Sequence, residues 1–174
     1  MPPRFSLAKR KAKELLLKAE IKRVPVPVER LPSLVGAVVR YEPFDGRLSG
    51  MVHRSSTGKT IIGVNSSHPN TRQRFTIAHE LGHILLHKDE RFHVDQTASI
   101  RFRDEESSLA TNTEEIESNQ FAAELLMPEN LVRKEITRLA GSLDPEDAIP
   151  VLAARFEVSE QAMTLRLTKL RFLV

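Results

Sequence analysis

Apolar residues in this chain recur at helical spacing near both ends and in short alternating runs between them. Residues 6–21 place Leu7, Leu15, Leu16 and Leu17 against a Lys/Arg-rich face, which predicts a basic amphipathic helix capped by Ser6. Such helices also occur at membrane surfaces or as calmodulin-type targets, but a packing helix with a solvated basic face is the simpler reading. Val24-Pro25-Val26-Pro27-Val28 is extended and stiff, and delivers the chain to a sheet. Residues 37–41, 48–54 and 60–65 predict strands, with turn signals at Asp45-Gly46 and Thr57-Gly58-Lys59, and a short antiparallel sheet is expected.

Phe75, Ile77, Ala78, Leu81, Ile84, Leu85 and Leu86 make the next helix apolar around most of its girth, so it should be buried, with Asn70 or Thr71 as its cap. The chain then turns polar over residues 88–113: short strands at 92–94 and 99–103, then an acidic and hydroxyl-rich loop at 104–113. A capping box, Thr111-x-x-Glu114, predicts a helix closed by Pro128. Pro128 opens another, ending at Ala140 with Gly141 as terminator. Asp144-Pro145 caps a third, and Val158-Ser159 separates it from a last helix ending near Leu170. No internal repeat is present.

Composition narrows this picture. The 174 residues suffice for one domain with a core and a small appendage. A hydrophobic share of 40% and a charged share of 28% indicate a globular chain, not a disordered one. No apolar run reaches membrane-span length, and the N-terminus lacks a signal-peptide core, so a cytoplasmic location is expected. Cysteine is absent, which removes disulfides and thiolate ligands. A net charge of +3 permits a nucleic-acid partner without arguing for one.

The candidate chemistry lies in His79-Glu80-Leu81-Gly82-His83, the spacing H-E-x-x-H on the buried helix. Residues four apart share a helix face, so both imidazoles can reach one zinc ion at about 2.0–2.1 Å. Glu80 then lies beside the ion without binding it, placed to take a proton from water. Two His and a Glu on a buried helix must be paired or bind metal, because unpaired burial is unfavourable. With no cysteine, His and carboxylate ligands favour a catalytic zinc over a structural one.

A catalytic zinc needs a third protein ligand. His87 continues the i+4 series, but its distance from His79 of about 12 Å along the axis is too great for one ion. It reads as a packing or hydrogen-bonding residue at the helix end. Asp89 stands six residues after His83, a spacing that needs a sharp turn three residues after His83, where Leu86 continues the helix instead. Glu114, Glu115, Glu117 and Glu124 remain, all on the next helix. Glu117, four residues before Phe121, sits at the edge of the expected buried face and is modestly favoured.

R-Q-R-F-T-I-A-H-E-L-G-H-I-L-L-H, followed by E-I-E-S-N-Q-F-A-A-E-L-L-M-P, resembles the ImmA/IrrE family of zinc metallopeptidases over most of the chain, with Ser118 where Ala is common. The resemblance implies that His79, His83 and Glu117 bind zinc and that Glu80 is the general base. It implies an α+β fold: a small, mostly antiparallel sheet packed on a zincin-like helical core carrying the motif, followed by helix-turn-helix-like C-terminal helices. The corresponding division is 1–140 for the peptidase domain and 141–174 for the C-terminal segment packed on it. The implied substrate is a protein, a DNA-binding repressor. Larger members carry a sensory domain, which is not expected within these residues. Tyr41, His53, His93 and Arg101 are candidate oxyanion partners.

Residues 152–163 read as a helix-turn-helix with a Ser-capped second helix. Glu157 occupies the turn where Gly is usual, and the basic residues Arg166, Lys169 and Arg171 come late, whereas base-reading residues sit near the helix start. Packing is therefore favoured over DNA contact. The alternative to an enzyme is a non-enzymatic regulator binding DNA or a repressor through these helices.

Overall fold

The computed structural model describes residues 2–45, 48–55, 58–87, 92–95, 109–139 and 145–173. Helix α1 (Phe5–Lys18) buries Ala8, Ala12 and Leu15, a stripe at helical spacing. Ser6 does not cap it. Arg4 holds that position, and its carbonyl accepts from the Leu7 and Ala8 amides at 3.0 and 3.1 Å. Two 3-10 turns (Val28–Arg30 and Pro32–Val35) then lead into β1 (Ala37–Glu42).

Strands β2 (Gly50–Arg54), β3 (Thr60–Asn65) and β4 (Phe92–Asp95) complete a sheet of order β1-β3-β2-β4. β2 pairs antiparallel with both β3 and β4. β1 is the departure from expectation: it runs parallel to β3, with Ala37 opposite Thr60. The cause lies in the connection from β1 to β2. The buried Asn65 side chain donates to the carbonyls of Leu48 (2.8 Å) and Phe44 (3.2 Å), so this loop is tied across the end of β3. β2 therefore enters on the far side of β3 instead of folding back on β1. The β2–β3 turn uses Gly58 at φ +81°, a conformation open to glycine.

Helix α2 (Asn70–Leu86) is buried nearly all round, as its apolar girth requires. Neither Asn70 nor Thr71 caps it. Pro69 stands at the N-cap, its carbonyl accepting from Arg72 and Gln73 at 2.9 and 3.0 Å. Helix α3 (Leu109–Leu126) starts two residues before Thr111, so Thr111 lies inside the helix and the expected capping box is not its start. α4 (Glu129–Leu139) follows Pro128, whose carbonyl takes the Leu131 and Val132 amides. The expected strand at 99–103, Asp89, Gly141 and Asp144 lie outside the described residues. Among those described, no helix is long and apolar enough to cross a membrane.

Helices α5 (Pro145–Phe156) and α6 (Glu160–Lys169) close the chain, and Ser159 caps α6 by accepting from the Ala162 amide at 3.2 Å. Their Phe156, Met163 and Leu167 share one core with Phe121 and Leu125 of α3. Glu157 adopts φ +52°, an unusual conformation for a residue with a side chain. Its carbonyl and carboxylate are both engaged by the buried Arg74 of α2, at 3.3 Å each, which offsets the strain and explains Glu over Gly. Arg166 is buried, donating to both Glu124 oxygens (2.9 and 2.7 Å) and to the Met127 carbonyl (2.9 Å). Lys169 donates to Gln120 and lies 5.1 Å from the Phe5 ring centroid. Burial lowers its pKa from the ordinary lysine value. Two of the three basic residues near the chain end thus face α3.

Removing one member of a buried ion pair strands the other. Arg166→Met should lower stability by about 3–5 kcal/mol in urea unfolding, and Arg166→Met/Glu124→Leu should recover most of that loss. Equal losses in the two variants would contradict the pairing.

Candidate metal centre

The arrangement begins where α2 and α3 cross. A Cβ on Gly82 would stand 2.9 Å from the Ser118 Cα and 3.2 Å from its carbonyl oxygen. Only glycine permits this approach, because the obstructing atoms are backbone. The close crossing sets α3 against the His79–His83 face.

There, His79 Nε2 and His83 Nε2 are 3.1 Å apart. One Glu115 oxygen lies 3.3 Å from His79 Nε2 and the other 3.2 Å from His83 Nε2. Ligands about 2.0–2.1 Å from a tetrahedral ion lie about 3.3 Å from one another, so these separations fit a shared cation. Both imidazoles are almost fully buried, while Glu115 is partly exposed and marks the open side.

The protonation pattern points the same way. His79 Nδ1 is 3.0 Å from Asn119 Oδ1, an acceptor, so Nδ1 carries the proton and Nε2 presents a lone pair. A lone pair facing a carboxylate oxygen at 3.3 Å is repulsive unless a proton or metal cation lies between them. Asn119 thus orients His79 through its second ring nitrogen. The sequence reading missed it; its position four residues after Glu115, on the same helix face, is the signal that was available.

Glu80 is fully buried at the start of the motif. The first residue of β2 lies over it: a Cβ on Gly50 would come within 2.3 Å of Thr76 Cγ2 and 3.1 Å of Glu80 Oε1. Arg54, at the other end of β2, donates to the His83 and His87 carbonyls at 3.3 and 3.1 Å and closes the α2 C-terminus.

Glu117, expected as the third ligand, does not join His79 and His83. Its buried carboxylate is taken by Arg4: the Arg4 amide (2.6 Å) and Nε (3.0 Å) reach Oε1, and Nη2 (2.8 Å) reaches Oε2. Glu115 is the carboxylate brought to the pair, and among the described residues His79, His83 and Glu115 group as metal-ligand types. The reason is rotational: residues two apart on a helix do not face the same way. Glu124 is held by Arg166, and Glu114 lies 3.8 Å from His87 Nδ1. His87 is buried, which lowers its pKa from the ordinary imidazole value, and its Nε2 is 3.6 Å from Glu117.

Of the oxyanion candidates, Tyr41 is half-exposed on β1 with Glu29 and Arg74 as charged neighbours. His53 is on the exposed side of β2. His93 pairs through its backbone with Val52, and Arg101 is outside the described residues.

Comparison with known proteins adds three findings. Residues 33–168 match the IrrE N-terminal-like domain family, peptidase M78. The radiation response metalloprotease IrrE of Deinococcus radiodurans is 34% identical over 109 residues, which is 63% of this chain and 31% of that protein. The match thus spans under a third of the relative's length. A Mycobacterium tuberculosis transcriptional regulator has a similar fold, with a TM-score of 0.62 and 16% identity over 92% of this chain and 46% of that one.

Gly82→Ala should push α3 outward, costing about 1–3 kcal/mol in urea unfolding. Unchanged stability would refute the close crossing. A second expectation concerns pH. Hydrogen bonds from Arg4 hold the Glu117 carboxyl below its ordinary pKa, so folding favours its ionised form. That stability is present above the ordinary value of 4.5 and is lost as pH falls through the lower folded value. Unfolding free energy should therefore fall more steeply below pH 4.5 in wild type than in Glu117→Gln; parallel curves would contradict it.

Proposed function

The chain belongs to the IrrE N-terminal-like domain family, and on that footing we propose that it is a zinc-dependent endopeptidase with a zincin-like core. The observation that carries this is the convergence of His79, His83 and Glu115 beside a buried Glu80. His79, His83 and Glu115 would hold the ion, two imidazole nitrogens and a carboxylate oxygen being a donor set suited to zinc. When bound, zinc supplies Lewis acidity toward water and the scissile carbonyl.

The chain's own residues do the rest. Glu80 takes the proton of the attacking water and hands it to the leaving amine. Its carboxylate is fully buried and seated under Gly50. Asn119 keeps His79 in the tautomer whose Nε2 lone pair would face the ion. The partly exposed Glu115 side is the approach for a peptide.

The proposed substrate is a protein, a DNA-binding transcriptional repressor, as the resemblance of the two signature blocks implies, and the proposed setting is the cytoplasm. We assign residues 1–140 to the peptidase unit and 141–174 to a helix-turn-helix-like packing segment. Burial of Arg166 against α3 supports packing over reading DNA, and Lys169, though exposed, is bonded to Gln120 of that helix.

The test combines metal analysis with incubation of a candidate repressor. Glu80→Gln should retain stoichiometric zinc and lose at least about 100-fold in cleavage rate. Glu115→Gln should lose zinc, whereas Glu117→Gln should keep it. Zinc retained by Glu115→Gln and lost from Glu117→Gln would reverse the ligand assignment; cleavage retained by Glu80→Gln would remove its role as base.

A further inference from the structure

We propose that Arg4 is a positioning residue for the metal centre: by taking both oxygens of Glu117, it keeps that carboxylate out of the ligand set and holds α3 in the rotation that presents Glu115. The inference rests on the metal-centre reading above.

Glu115 and Glu117 are about 200° apart around α3, yet both carboxylates address one row of histidines on α2. Glu115 meets His79 and His83, while Glu117 Oε2 is 3.6 Å from His87 Nε2, and the His87 ring centroid is 5.5 Å from that of His83. A rival carboxylate therefore stands one helical turn along from the proposed ligands. Its side chain is 1% exposed, so its ionised form needs a charged partner where water is excluded.

Arg4 meets that need in a way that also fixes direction. Its guanidinium forks across both oxygens, with Nε at 3.0 and 3.2 Å and Nη2 at 2.8 Å, and its backbone amide adds a bond at 2.6 Å. A fork engages a carboxylate in one plane, which a single ammonium does not. Arg4 is also the residue from which α1 starts, and α1 packs on α3. The head of the chain is thereby fastened to the helix that carries the third proposed ligand. The Arg4 side chain is itself half-exposed, so the pair buries only one charge fully.

Without Arg4, Glu117 is left beside His87, 3.6 Å away, and can turn toward the histidine row. Residues that orient metal ligands typically change affinity by about 10–100-fold when lost. The experiment measures Zn2+ affinity by chelator competition and the visible spectrum of the Co2+ form, on the full chain. Apo-protein unfolding in EDTA is followed alongside.

Zn2+ affinity should fall about 10–100-fold in Arg4→Met, with an altered Co2+ spectrum, and should fall less in Arg4→Lys. Arg4→Met/Glu117→Gln should recover affinity, because the rival carboxylate is gone. Wild-type affinity and spectrum in Arg4→Met overturn the inference, whatever happens to apo stability. So does a double variant that binds as weakly as the single one, since the role is then structural alone. Should Arg4→Met fail to fold, Arg4→Lys carries the test: weaker binding supports the proposal and wild-type binding overturns it. Wild-type protein that binds no Zn2+ overturns the metal-centre reading and this inference with it.

Discussion

Everything proposed for this protein depends on how closely α2 and α3 approach at Gly82 and Ser118. A helix crossing without side chains between the backbones leaves little freedom in separation. It sets the depth at which Glu115 and Asn119 meet His79. The apolar residues around that crossing, Leu81, Phe121, Ala122 and Leu125 among them, are essentially inaccessible to water. His79, Glu80 and His83 are thus set in a dry interior, where polar groups must be paired and electrostatic effects are strong, while Glu115 stays partly exposed.

Long-range arginine contacts fix the remaining geometry. Arg4 joins the chain's start to α3, and Arg74 joins the Pro-Val segment, Glu29 and the α5–α6 turn to α2. Arg166 joins α6 to α3, and Arg54 joins β2 to the end of α2. Buried ion pairs are weak sources of net stability because desolvation offsets attraction. Their contribution here is registration: each allows one alignment of two segments distant in sequence. Surface pairs such as Lys11–Glu14 and Arg133–Glu129 have no such consequence, being solvated and within one helix.

The C-terminal segment illustrates how sequence likeness and role diverge. It has the spacing of a helix-turn-helix, and its Ser159 cap forms as read. Yet Arg166, which a DNA reading would need outside, is buried against Glu124, and the exposed Lys169 donates to Gln120. The segment's apolar face contributes Phe156, Met163 and Leu167 to the common core. Within the IrrE N-terminal-like domain family, to which residues 33–168 assign this chain, such a segment can therefore serve the fold itself.

What the sequence determined by itself was local. H-E-x-x-H places two imidazoles on one face because that spacing is a property of any α-helix. The burial of α2, the three strands that precede it and the Ser159 cap follow from short-range pattern in the same way. The third carboxylate did not, because α3 has apolar and polar residues spread around it with no preferred face. Ile116, apolar, ends 36% exposed, while Glu117, charged, is buried, so hydrophobic pattern could not supply that helix's rotation. Rotation was decided by contacts between residues far apart in the chain: Gly82 on Ser118, Asn119 on His79, and Arg4 on Glu117. The parallel placement of β1 was likewise decided by Asn65 reaching back to Phe44 and Leu48. Neighbours along the chain set which way a residue points within its own helix or strand; only packing between elements sets which of those directions meet.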